Sequence, residues 1–173
     1  IKLDWDSNLI WENLEHFHHD ISLDDVGNIY SLTYNRFVDT KIGKKSYSIV
    51  DNGILIVSPD GKVKKEYSVY DIFWDTLSEK QKRRALNYDN FDRPDPFHTN
   101  TVEVITRDVG YAKKGDVILC IRHQNMIAIV DLEKKKIKWK WGMGKLDSPH
   151  KPTLLDNGNI LIFDNGMKRK YSR

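Results

Sequence analysis

One short motif recurs without a gap, and it restricts the possible folds more than anything else in the chain. His19-Asp-Ile-Ser-Leu-Asp-Asp-Val-Gly-Asn-Ile-Tyr30 and His150-Lys-Pro-Thr-Leu-Leu-Asp-Asn-Gly-Asn-Ile-Leu161 share the pattern His-x-x-Ser/Thr-Leu-x-Asp-x-Gly-Asn-Ile. A third segment, His98-Thr-Asn-Thr-Val-Glu-Val-Ile105, keeps His-x-x-Thr-Val and inserts residues before resuming at Gly115-Asp-Val-Ile-Leu119. Repeated self-similarity of this kind marks an architecture built from one supersecondary unit.

Each unit reads as a meander of strands. A short strand from the histidine meets a tight turn whose Gly accepts positive φ. An apolar strand follows, at Ile29 to Tyr34, Val117 to Arg122 and Ile160 to Phe163. A third appears at Gly53 to Val57 and at Met126 to Asp131, and a fourth at Lys62 to Tyr67 and Lys136 to Trp141. The fourth strands alternate polar and apolar residues with period two, as a half-exposed edge strand does. Lys62, Lys64, Lys134 and Lys136 are what such an edge uses to discourage pairing with other chains. Trp139 and Trp141 on one of these outer strands are expected to pack between units.

Four antiparallel strands per unit, repeating at roughly 40 to 50 residues, predict an all-β fold of β-propeller blades. The complete blades fall at about 15–70 and 98–142, flanked by partial ones, all within one propeller domain over 1–173. Asn8-Leu-Ile-Trp11 reads as the outer strand of a preceding blade. The interval from His19 to His98 exceeds that from His98 to His150, and a helical insertion at about 75–90 is expected to explain the excess. Ser78-Glu-Lys-Gln-Lys-Arg-Arg-Ala-Leu-Asn87 lacks β-branched residues, and Ser78 is its candidate N-cap. Asn90 to Pro96 reads as a loop. Propellers close with about four to eight blades, so the expectation is that these residues belong to a longer chain.

Composition narrows the function. A net charge of +3 is too mild to imply nucleic acid, and no apolar run approaches the roughly 18 residues that span a bilayer. The single Cys120, inside an apolar run, reads as a small buried hydrophobe.

In a propeller the first strand of each blade borders the central channel, so His19, His98 and His150 would surround one funnel. Asn100, two residues after His98, would share its face of the strand. Arg122 closes the second strand of the same blade. Imidazoles, an amide and a guanidinium fork together suit an anion with several oxygens, such as sulfate or phosphate. Three histidines also suit zinc, although an Arg beside them opposes a cation and no Cys or carboxylate stands at ligand spacing. A propeller that only binds an anionic ligand is the other reading, since fold does not imply function. His18 would point to the opposite face of a regular strand and ranks below His19. His16 and His123 fall outside the repeat register and read as structural or exposed.

The chain resembles the arylsulfate sulfotransferase (arylsulfotransferase) family. The resemblance is carried by His18-His19-Asp20, Asp95-Pro-Phe-His-Thr-Asn100, Ile121-Arg122 with Asn125, Asp156-Asn-Gly-Asn-Ile-Leu-Ile-Phe-Asp-Asn-Gly166 and Tyr171-Ser172-Arg173. The family usually sets its last histidine in a Gln-His-Asp-like context, whereas this chain has Ser148-Pro-His-Lys-Pro152. The resemblance implies a six-bladed propeller, an extracytoplasmic or periplasmic setting, and an aryl sulfate and a phenol as small-molecule substrates. It implies no cofactor and no metal. It makes His150 the nucleophile that forms a sulfohistidine. His19 becomes the acid and base, Arg122 and His98 stabilise the transferring group, and Asn100 and His18 contact substrate.

Overall fold

The structure, a computed structural model, describes residues 1–87, 89–90 and 93–169, with the side chains of 35, 89 and 90 outside the description. Tyr171-Ser172-Arg173, which carries part of the family resemblance, lies outside the described residues.

The chain is mostly β, with antiparallel sheets and few helices. A two-stranded sheet, β1 (Lys2–Leu3) and β2 (Leu9–Trp11), leads into a four-stranded meander. That meander is β3 (Phe17–Leu23), β4 (Ile29–Ile42), β5 (Lys45–Val57) and β6 (Val63–Ser68), in sequential order. Two helices follow, α1 (Val69–Phe73) and α2 (Glu79–Ala85), with a 3-10 turn at Trp74–Thr76 between them. The short pair β7 (Asp89–Asn90) and β8 (Arg93–Pro94) precedes the second meander, β9 (Thr99–Val104), β10 (Val117–Ile121), β11 (Met126–Asp131) and β12 (Lys136–Trp141). A final hairpin pairs β13 (Pro149–Leu154) with β14 (Ile160–Asp164). The chain thus forms two four-stranded antiparallel sheets and, at His150, a two-stranded hairpin.

The turn glycines behave as the motif requires: Gly27, Gly115 and Gly158 have φ of 81°, 90° and 86°. The motif's Ser/Thr has a structural task that spacing alone does not reveal. Ser22 Oγ accepts the Val104 N–H at 3.0 Å, and Thr101 Oγ1 accepts the Lys151 N–H at 3.0 Å. Each hydroxyl therefore ties its own innermost strand to the innermost strand of the next unit. Asp20 carries the link further, since Lys151 Nζ lies 2.9 Å from both of its carboxylate oxygens. β3, β9 and β13 are thereby drawn together.

The core explains why β10 is apolar throughout. Val117, Leu119 and Ile121 face the first meander, packing with Leu32, Ile54, Phe73 and Phe97. Ile118 and Cys120 face the other way, towards Leu154, Ile160 and Ile162 of the last hairpin. A sheet buried on both faces loses the polar alternation of a half-exposed one. Trp139 packs against that hairpin, as expected of an inter-unit residue, while Trp141 is half exposed. Cys120 is fully buried, and its thiol donates to the Pro149 carbonyl at 3.2 Å.

The long interval between His19 and His98 has two sources rather than one. The helix is present, capped by Ser78 in a reciprocal box with Gln81. But β4 and β5 also run well past Tyr34 and back to Gly53, pairing from Arg36↔Asp51 out to Ile42↔Lys45. This arm buries Ile42, Ile49 and Val50, and Thr40 Oγ1 accepts the Tyr70 hydroxyl from α1 at 3.0 Å. The helix α1 was not expected. Its N-cap Ser68 accepts the Asp71 N–H, and Val69, Ile72 and Phe73 are buried.

Candidate functional site

The histidines converge because the innermost strands are irregular. β3 loses register between His18 and Ile21, and His19 takes φ of 61°. A regular strand would send His18 and His19 to opposite faces. The bulge instead brings their rings within 4.6 Å, which corrects the expectation drawn from simple alternation. His98 likewise takes φ of 43°, with a register shift following at Asn100. β13 shifts between His150 and Thr153, with Lys151 at φ 44°. Bulges of this kind re-aim side chains beside functional sites.

The result is a row of rings. Tyr34 meets His18 edge-on at 5.0 Å, His18 meets His19, His19 meets His98 at 5.0 Å, and His98 meets His123 at 4.6 Å. Five of the chain's six histidines belong to the site, because His150 stands close enough to His98, His19 and Arg122 for their charges to act on one another. His16 is exposed at the margin, 6.1 Å from Tyr34.

Each member is held differently. His98 Nδ1–H donates to Asp95 Oδ2 at 2.9 Å, while the His98 backbone N–H donates to Asp95 Oδ1 at 2.8 Å. His123 Nδ1–H donates to the Asp95 carbonyl at 2.6 Å, and its Nε2 accepts Arg122 Nη1 at 3.0 Å. Because a guanidinium only donates, that contact makes His123 neutral with its proton on Nδ1. His150 Nδ1 lies 3.0 Å from the Ser148 carbonyl and 3.1 Å from Asn165 Nδ2; in the tautomer that donates to the carbonyl, the proton is on Nδ1 and the Nε2 lone pair is available. Asn125, at the left-handed end of the 3-10 turn Arg122–Gln124, accepts the Ser148 N–H at 2.9 Å and so sets the approach of β13.

Electrostatics favour the neutral forms of His18, His19, His123 and His150. Burial, then the charge of His19, pushes His18 down to about 4. Burial pushes His123 to about 4 as well, against the Asp95 carbonyl, which favours its proton. His19 is lowered by burial and then by His98 and His150, and His150 by burial together with Arg122 and His98. For Asp95 burial works against ionisation, but the hydrogen bonds and charge of His98 prevail and hold its carboxyl below the usual range.

Asn100 departs from its expected place. Its side chain is buried, and Nδ2 donates to the Pro149 carbonyl at 3.0 Å. The bulge breaks the alternation that would have aligned it with His98, and the amide anchors the strand that bears His150. Among the described residues His18 Nε2 is buried without a protein partner, beside an open surface depression that His19 and Asp20 also line.

Sequence reasoning did not single out Asp95, while His123, read as structural or exposed, is buried and supports Arg122. The statement that no carboxylate stands at ligand spacing is corrected by Asp95, three residues before His98. Among the described residues, Asp95, His98 and His123 present ligand-type atoms within 4.8 Å of one another. Their donor set fits hydrogen bonding better than a cation. The Asp95 carboxylate already holds two His98 protons, and the next group along is the Arg122 guanidinium. The signal in the sequence was Asp95-Pro-Phe-His98, an acid placed to turn back onto a histidine.

Two four-stranded antiparallel sheets and a hairpin thus carry a cluster of imidazoles and one guanidinium where their first strands meet. The family model for arylsulfotransferase (ASST) matches residues 6–148. The chain belongs to that family. The matched residues include His18, His19, His98, Asn100 and Arg122 and end just short of His150. A comparison with curated proteins finds no match.

Proposed function

We propose that the chain is part of a β-propeller that transfers a sulfuryl group from an aryl sulfate to a phenol through a sulfohistidine at His150. The observation that carries this is the gathering of His19, His98, Arg122 and His150, from three successive units, around neutral imidazole nitrogen.

In the first step the His150 Nε2 lone pair attacks sulfur. An N–S bond forms, the S–O bond to the aryl group breaks, and the aryloxide leaves. The Ser148 carbonyl, accepting from Nδ1–H, supports the positive charge that develops on the ring. Arg122 supplies donors to the equatorial sulfuryl oxygens, where charge accumulates, and His98 adds one from Nε2 when that nitrogen takes up a proton while Nδ1–H stays on Asp95. In the second step a phenol oxygen attacks sulfur, the N–S bond breaks, and His19 takes the phenol proton. A lowered pKa suits His19 to the role of base, because its neutral form prevails near pH 7. Neutral His18 offers a hydrogen-bonding nitrogen beside His19, and Asn100 steadies the strand under the nucleophile.

The test is turnover of 4-nitrophenyl sulfate by the full-length protein with phenol as acceptor, and the account expects ping-pong kinetics unaffected by chelator. Sulfate binding without turnover would reduce the site to a binding module, and chelator-sensitive hydrolysis would assign it to a metal centred on Asp95, His98 and His123.

A further inference from the structure

We propose that Asp95, through its carboxylate and its carbonyl, is the positioning residue that orients both His98 and Arg122. This inference rests on the sulfuryl-transfer reading, but one of its measurements does not depend on activity.

Asp95 is 1% exposed, and among the described residues the side chain its carboxylate pairs with is the imidazole of His98. A buried carboxylate is costly unless its lone pairs are used well. Here the two oxygens take the backbone and ring N–H of one residue. This fixes the His98 proton on Nδ1 and turns Nε2 outward, the arrangement by which a carboxylate selects the tautomer of a working histidine. The carbonyl of the same residue fixes His123, whose Nε2 in turn holds one arm of Arg122. One residue thus sets two groups on the same side of the site: the Arg122 fork, and a His98 Nε2 that can take up a proton and then donate while Asp95 keeps Nδ1–H.

The backbone around Asp95 is built to hold this geometry. The 3-10 turn Arg122–Gln124 is pinned to the segment 95–98 along its whole length. The Arg122 N–H donates to the His98 carbonyl at 3.3 Å, and the His123 N–H to the Phe97 carbonyl at 3.1 Å. Gln124 Nε2 donates to the Pro96 carbonyl at 2.8 Å. With the His123 ring bond, every carbonyl from Asp95 to His98 is taken by that one turn. So rigid a support suits a site whose catalysis depends on placement.

Asp95→Asn keeps the shape and the acceptor for the His98 N–H but presents an NH₂ to His98 Nδ1. The ring must then move its proton to Nε2. Nitrogen NMR of ring-labelled protein is expected to show the proton of neutral His98 on Nδ1 in the native chain and on Nε2 in Asp95→Asn. With 4-nitrophenyl sulfate, kcat is expected to fall about 10²- to 10⁴-fold in that variant while KM changes less than about threefold. His123→Phe, which leaves the His98 pair intact, should lower kcat/KM about tenfold by freeing Arg122, without changing the His98 tautomer. A native His98 with its proton on Nε2, an unchanged tautomer in Asp95→Asn, or full activity in either variant would overturn the assignment. If the native chain transfers no sulfuryl group, the functional reading fails, and the tautomer pair still decides whether Asp95 orients His98.

Discussion

Lowering the pH from 7 to 5 is expected to destabilise the fold, and the size of the effect follows from the buried rings. His123 titrates near 6.5 when unfolded and is held at about 4 in the folded chain. Its folded pKa is depressed, so its contribution is complete above about pH 6.5 and is lost as the pH falls from there towards 4. Between those values the unfolded chain binds the extra proton. At pH 5 the loss comes to about 2 kcal/mol for His123. His18, also near 4 but less enclosed, adds roughly half as much after allowance for solvent screening. Together, about 3 kcal/mol corresponds to a fall in Tm of about 6–12 °C for a chain of this size. Calorimetric melting at constant ionic strength, at pH 7 and pH 5, measures it. Asp51, pushed up by burial, pulls in the opposite direction. The slope of Tm against pH in His123→Phe therefore isolates the imidazole. An unchanged Tm between the two pH values, or an unchanged slope in His123→Phe, would refute the reasoning.

Two further substitutions probe separate parts of the account. Arg122→Lys keeps the charge but loses the fork that donates to His123 Nε2 while reaching Met167 Sδ at 3.3 Å. It should reduce kcat/KM for an aryl sulfate about 10- to 100-fold with little change in Tm, as steady-state kinetics beside a melt will show. Gly53→Ala would place a Cβ 2.2 Å from Thr33 Oγ1 in the middle of the first meander. It should cost about 1–3 kcal/mol, measured by urea unfolding.

Much of this architecture could be read from the chain before any coordinates. The Gly-Asn and Gly-Asp turns, the apolar runs after them and the Ser78 cap are local signals, and local signals survive in sequence. The β4–β5 arm was harder to see. Two of its buried residues, Ile42 and Ile49, answer to the helices that pack against them and not to a pattern of their own. The site was legible as a set of residues and illegible as a geometry. His19, His98 and His150 stand at repeat positions, so their convergence follows from the repeat. The pairing of His18 with His19, the turning of Asn100 towards Pro149, and the link from Asp95 to Arg122 all depend on bulges and on one 3-10 turn. Register slips of this kind break the two-residue alternation on which strand reasoning relies. Asp95 was present in the quoted motif, but only the positive φ of His98 shows that the acid turns back onto its ring.

The most direct measurement is to mix the full-length protein with 4-nitrophenyl sulfate in the absence of acceptor, quench at mildly alkaline pH, and locate the modification by peptide mass spectrometry. The account predicts one sulfuryl group on the peptide containing His150, released when phenol is added and absent from His150→Ala. Sulfuryl transfer at native rate by His150→Ala, or an adduct on any other residue, would contradict it.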